Sequence, residues 1–268
     1  MPATRTRRTF LTDLGRTAAG VVVVGFAGGC SGGDEPVAQV TAPTDPTAAP
    51  TTASTDPTAD PTTDGASPDA AGLVVPHTVD LGIGAAYVLV RAGEAAIVDT
   101  GVAGSEDAIE AVLAEAGVGW GDVGHVILTH QHGDHVGSLE AVAGLASGAA
   151  LYGGAADIPN MTAPREISAV GDGDTVFDLS IIETPGHTAG HISVHEPAAG
   201  LLVTGDALVG NAGRVAGPAA QFTADMTSAI ASVATLAELD VQRILVGHGF
   251  PVEGGTAELA ALAETLAG

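Results

Sequence analysis

The sequence predicts a mixed α and β fold of two sheets with helices outside them, and three observations predict it. From Leu73 onward, short apolar runs of strand length recur, single segments of helical periodicity stand between them, and glycine-containing turns separate them. Strand runs interleaved with single helices suit sheets that must each cover a face with helices.

The elements follow in order. Leu73 to Val79, Ala85 to Val90 and Ala95 to Val98 read as consecutive strands, parted by turns at Gly82-Ile83-Gly84 and Arg91-Ala92-Gly93. Ser105 stands where an N-cap belongs, with Glu106 and Asp107 in the first helical turn and Gly117 as the stop signal. Ile109, Val112, Leu113 and Ala116 share one face of that helix. Val126 to Leu128 is a buried type of strand that delivers Thr129-His130 into a loop, and a helix over Val136 to Ala146 follows. Strands near Ala149 to Tyr152, Thr175 to Glu183, Ile192 to His195 and Leu201 to Val203 come next. A helix at Met226 to Leu239, a strand at Arg243 to Val246 and a last helix from Thr256 to Leu266 complete the chain.

The 268 residues are 46% hydrophobic, which excludes disorder throughout, and their mean hydropathy is +0.34. Eight basic residues, all arginine, stand against 32 acidic ones, for a formal net charge of -24. Such a surface repels nucleic acid and anionic lipid, so no nucleic-acid partner is expected. Charged residues make up only 15%, which leaves a high-salt habitat open as the source of the acidity. Cys30 is the single cysteine and cannot close a disulfide within the chain.

Residues 1–30 have a basic start, a short apolar stretch from Ala18 to Ala27 and a small-residue end, the three parts of an export signal. That stretch is too short for the ~20 apolar residues of a membrane span. Arg7-Arg8-Thr9-Phe10-Leu11 resembles a twin-arginine signal, and Ala27-Gly28-Gly29-Cys30 resembles a lipobox in which Cys30 takes the lipid. Residues 31–72 are rich in Thr, Pro, Asp and Ala, too poor in apolar surface to offset the entropy of ordering, and read as a disordered tether. Residues 73–268 form the domain. The expected location is the outer face of the cytoplasmic membrane, reached by the lipid anchor alone, with secretion as the alternative.

The chemistry sits in Thr129-His130-Gln131-His132-Gly133-Asp134-His135. Imidazoles and a carboxylate this close together suit zinc or a similar divalent ion, with iron and manganese accepting similar shells. On extended backbone His130 and His132 point the same way, while the next turn presents Asp134 and His135 elsewhere. More ligand types recur after apolar runs and beside glycines: His187, Asp206 and His248. His77, His125 and His195 alternate with apolar residues and read as surface or packed side chains.

The order THQHGDH, TPGHTAGH, TGD and GHG resembles the metallo-β-lactamase superfamily over essentially Leu73 to Gly268. The resemblance implies a four-layer αββα sandwich. It implies two divalent ions, one held by His130, His132 and His187, the other by Asp134, His135 and His248, with Asp206 bridging. It also places Asp99, in Ile97-Val98-Asp99-Thr100-Gly101, behind the ligands, and His191 is expected there too, as an orienting partner for a ligand imidazole.

Two ions sharing a water lower its pKa from ~15.7 toward ~7 and polarise a carbonyl. The expected activity is therefore hydrolysis of an ester, thioester, lactone or amide of a small molecule, with Asp134 both ligating and orienting the nucleophile. A bridging aspartate resembles the glyoxalase II-like branch, whereas true β-lactamases place Cys or Ser there. A helical substrate domain after His248 is not expected from the sequence, and glyoxalase II activity itself is therefore not the expected one. The alternatives are an exported metal-binding lipoprotein without turnover, or a mononuclear iron sulfur-oxidising enzyme of the same fold. Arg214 and Phe222 are the candidate substrate contacts in the segment bordering the cleft; the substrate and the oligomeric state are not legible.

Overall fold

Strand β1 (Val75–Asp80) pairs antiparallel with β2 (Ala85–Arg91), and β2 pairs likewise with β3 (Glu94–Val98). These are the first elements of a computed structural model that describes residues 72–268. The export signal, Cys30 and the tether lie outside the described residues. Helix α1 (Glu106–Glu115) carries the chain across so that β4 (Val123–Leu128) lies parallel to β3. Two short helices, α2 (Gly133–Val136) and α3 (Leu139–Leu145), precede β5 (Ala150–Gly154), and β6 (Ile167–Val170) completes a six-stranded sheet in sequential order.

The second sheet opens with the hairpin β7 (Thr175–Val176) and β8 (Leu179–Glu183), continues through β9 (Ile192–Glu196) and β10 (Leu201–Val203), and is left by the small hairpin β11 (Val209–Asn211) and β12 (Arg214–Ala216). After α4 (Met226–Leu236) the chain re-enters it as β13 (Arg243–Leu245), parallel to β10, and β14 (Val252–Glu253) forms its edge. Helix α5 (Gly255–Ala267) ends the chain. Among the described residues no helix is long and apolar enough to cross a membrane.

Strand alternation sorts the core into three layers of side chains. On the first sheet Val88, Ile97, Val126 and Leu128 pack with Ile109 and Leu113 of α1 and Leu139 and Val142 of α3. Their strand neighbours Tyr87, Leu89, Val98 and Ile127 face the other way, against Leu179, Ile181, Val194, Val203 and Leu245 of the second sheet. The far face of that sheet, Leu202, Ile244 and Val246, packs with Val233 and Leu236 of α4 and Leu259 of α5. Side chains two apart on a strand share a face, so the expected αββα sandwich is built by the period-2 pattern itself.

Local chemistry departs from expectation at a few points. The helix expected over Val136 to Ala146 is split, because Gly137 and Ser138 leave the helix to bond the Gly101–Val102 turn: the Gly137 N–H donates to the Gly101 carbonyl at 2.7 Å and the Ser138 hydroxyl to the Val102 carbonyl at 2.6 Å. Ser105 precedes α1 but its hydroxyl caps nothing, since its backbone is already helical; Asp225, by contrast, caps α4 by accepting from Thr227 and Ser228. The strand expected over Thr175 to Glu183 is a hairpin, turned at Phe177 and Asp178, both at positive φ. Arg91 of β2 reaches that turn, donating to the Phe177 carbonyl at 2.8 Å and pairing with buried Glu196 of β9.

Candidate metal centre

The ligand-bearing segments start just past the C-terminal ends of strands, with His130 after β4, His187 after β8, Asp206 after β10 and His248 after β13, while Asp134 and His135 lie on α2. The two sheets are tied together at this rim, where the Ile192 N–H donates to the Thr129 carbonyl at 2.9 Å. Chain segments from both sheets therefore converge on one place, as expected of side chains set on strand-end loops.

His132 is the centre of the first group. Its Nδ1 lies 3.1 Å from Nε2 of His130 and 2.8 Å from Nε2 of His187. Nitrogens at 2.0–2.1 Å from one tetrahedral ion sit roughly 3.3 Å apart, so the three imidazoles are close to the spacing a shared ion requires. Asp134, His135 and His248 form the second group, with His248 Nε2 at 3.3 Å from an Asp134 carboxylate oxygen. Asp206 lies between the two: one oxygen is 3.2 Å from His135 Nε2, and the other is 3.4 Å from His187 Nε2 and 3.3 Å from His248 Nε2.

The remote nitrogens show which tautomers the site holds. Thr129 Oγ donates to the Asp99 carboxylate at 2.7 Å and therefore accepts from His130 Nδ1 at 3.1 Å. His135 Nδ1 donates to the same Asp99 oxygen at 2.7 Å, and His248 Nδ1 donates to the Ile83 carbonyl at 2.5 Å. Each of these rings thus engages its Nδ1 outward and turns Nε2 inward, the nitrogen left to bind metal. His191 is placed behind them as well: its Nε2 accepts the Asp206 backbone N–H at 3.1 Å, its Nδ1 meets Thr184 Oγ at 2.8 Å, and its ring stacks on His130.

Burial and neighbouring charge act in opposite directions on the groups of the site. Burial pushes His130 down and takes His191 down to about 3, holding both neutral. Burial also works against charge on His135, yet the flanking Asp99 and Asp206 carboxylates raise it to about 10. Asp206 is itself buried, which opposes its ionisation, but the His135 and His248 imidazoles beside it outweigh burial and hold it well below the usual carboxylate range. His135 Nε2 and one Asp206 oxygen are buried without a hydrogen-bond partner, though they face one another. Imidazole nitrogens and carboxylate oxygens brought this close together fit divalent ions.

The sequence-matched region covers residues 79–248, which fit the metallo-beta-lactamase superfamily. The chain belongs to this superfamily. Hydroxyacylglutathione hydrolase of Cereibacter sphaeroides is 40% identical over 121 residues, 44% of this chain and 44% of that protein. The chain spans about half the length, or less, of the first curated relatives it matches. Among solved structures, a subclass B3 metallo-beta-lactamase of Bradyrhizobium japonicum superposes with a TM-score of 0.55 at 22% identity, covering 73% of this chain and 89% of that one. A di-iron-bound protein gives 0.56 at 23% identity, covering 68% and 96%. These two likenesses show the fold.

In this superfamily member His132, Asp134 and His248 are part-exposed and, with the more buried His187 and Asp206, line a cleft of about 520 Å³, while His130 and His135 are buried beneath. Val209, Ala219 and Phe222 supply the apolar wall. Phe222 is thus placed as expected. Arg214 is not among the residues lining the cleft, and pairs with Glu258 at 3.3 Å. His77 and His125 are half-buried and His195 buried on their strands, as packed side chains. Sequence reasoning missed Thr129, the Ile83 carbonyl and Val209, whose roles arise only when distant segments meet. Gly247 was legible as a turn but has a second duty: a side chain there would run into Asp206 and His135.

Proposed function

We propose that the chain is a metal-dependent hydrolase that uses two divalent ions to cleave an ester, thioester, lactone or amide bond of a small molecule. The observation that carries this reading is Asp206, whose carboxylate lies against imidazoles of both groups, His187 of the first and His135 and His248 of the second. His130, His132 and His187 would hold one ion and Asp134, His135 and His248 the other, with Asp206 shared. A pair of such ions supplies a water of lowered pKa and polarises a carbonyl oxygen.

The protein's own groups do the rest. Asp134, at the open side, can accept a proton from an attacking water while His248 holds its other flank. Asp99 and His191 fix the orientation of His135 and of the Asp206 turn. Val209, Ala219 and Phe222 can seat an apolar part of the substrate and exclude water beside the scissile bond.

Zinc is the first choice of ion from the His-rich donor set, with iron and manganese as the alternatives. The location proposed is outside the cytoplasm, held to the membrane through lipid on Cys30. The test of activity is turnover by the purified full-length protein, loaded in turn with zinc, iron and manganese, over thioesters, esters, lactones, β-lactams and phosphodiesters. Hydrolysis of an acyl compound that ceases on chelation is expected. Metal binding with no turnover on any member would leave a metal-binding lipoprotein.

A further inference from the structure

Asp157 lies in the turn after β5, outside every motif read from the sequence, and it is 1% exposed. Its side chain is spent on two loops that carry ligand candidates. One oxygen accepts the Gly190 N–H at 2.7 Å; the other accepts the Thr188 hydroxyl at 2.5 Å and the Gln131 N–H at 3.1 Å. Gln131 stands between His130 and His132, Thr188 follows His187, and Gly190 precedes His191. The two loops come from different sheets. Their approach is close: a side chain at Gly190 would collide with the Asp157 backbone, and one at Gly154 with the Gly190 carbonyl.

We infer that Asp157 is a positioning residue for the three-histidine half of the metal centre, setting the separation of His187 from His130 and His132. The inference rests on the two-ion reading above. It follows from geometry, because three hydrogen bonds to one rigid carboxylate fix the two loops against each other, and ligand spacing is what an ion of small radius is sensitive to. The bond to Gln131 falls between His130 and His132 and ahead of helix α2, which bears Asp134 and His135, and none of the three bonds reaches the loop bearing His248. Its effect should therefore be confined to one ion. Its donors are all uncharged, so an amide of the same shape reproduces only part of the arrangement, turning a donor toward a donor.

The test is zinc binding to the full-length protein, measured by chelator competition that resolves two dissociation constants, with His187→Ala identifying the constant of the three-histidine site. Asp157→Ala should weaken that constant by about 10- to 100-fold and leave the other within twofold. Thr188→Val, which keeps the carboxylate and removes one of its three bonds, should weaken the same constant by less; it also serves if Asp157→Ala fails to fold. Both constants unchanged, or both weakened alike, would overturn the positioning role. A wild-type protein that binds no zinc would instead overturn the two-ion reading and the role with it, a result separable from the others by the wild-type control.

Discussion

Asp99 occupies a backbone conformation that side chains rarely adopt, with φ of 61, and the strain is matched by what its carboxylate does. It accepts from the Thr129 amide at 2.8 Å, from the Thr129 hydroxyl and from His135 Nδ1 at 2.7 Å each, so one side chain sets the orientation of two ligand candidates. Asn tolerates the left-handed region, which makes Asp99→Asn a test of the charge and not of the backbone. It should weaken metal binding about 10- to 100-fold, and His191→Ala should fall in the same range, both measured by chelator competition. Unchanged affinity in both would reduce these residues to packing. At this scale the sequence was informative where chemistry is local: the clustering of His130, His132, Asp134 and His135 is visible in one short segment. Asp157, Thr129 and the Ile83 carbonyl were not legible, because their partners lie far along the chain and meet them only through the fold.

Strands were legible as short apolar runs between glycine-containing turns, and the sandwich forms because neighbours on a strand face opposite ways, Val88 and Leu89 belonging to different core layers. Turns were less legible. The β7–β8 hairpin turns on Phe177-Asp178 at positive φ, where Asn-Gly would have been the recognisable signal, and β11, β12 and β14 are too short to show a period. The break between α2 and α3 is instructive, because it sits directly after His135. A side chain at Gly137 would meet the Gly133 carbonyl and the Ala103 and Val102 backbone, none of which can move cheaply. Gly137→Ala should therefore cost about 1–3 kcal/mol, as overpacking does, read from the denaturation midpoint. A variant as stable as the wild type would mean that the Gly101–Val102 turn does not constrain the ligand loop.

The molecule as a whole carries 24 acidic side chains against four arginines from Leu73 onward, and all four arginines have partners: Arg91 with Asp178 and Glu196, Arg165 with the carbonyls that end α3, Arg214 with Glu258, and Arg243 with Glu253. A nucleic-acid substrate would meet repulsion along this surface. The proposed location has its own test: Arg7→Lys with Arg8→Lys should hold precursor in the cytoplasm, while Cys30→Ala should be exported and released from the membrane fraction. A Cys30→Ala protein as membrane-bound as the wild type would refute the lipid anchor. The central claim is that one chain holds two ions through a shared Asp206. Elemental analysis of the full-length protein after metal loading and exhaustive dialysis tests it most directly. The account predicts two divalent ions per chain, with both depleted in Asp206→Ala; a single ion at saturation, or an Asp206→Ala protein that keeps both, would contradict it.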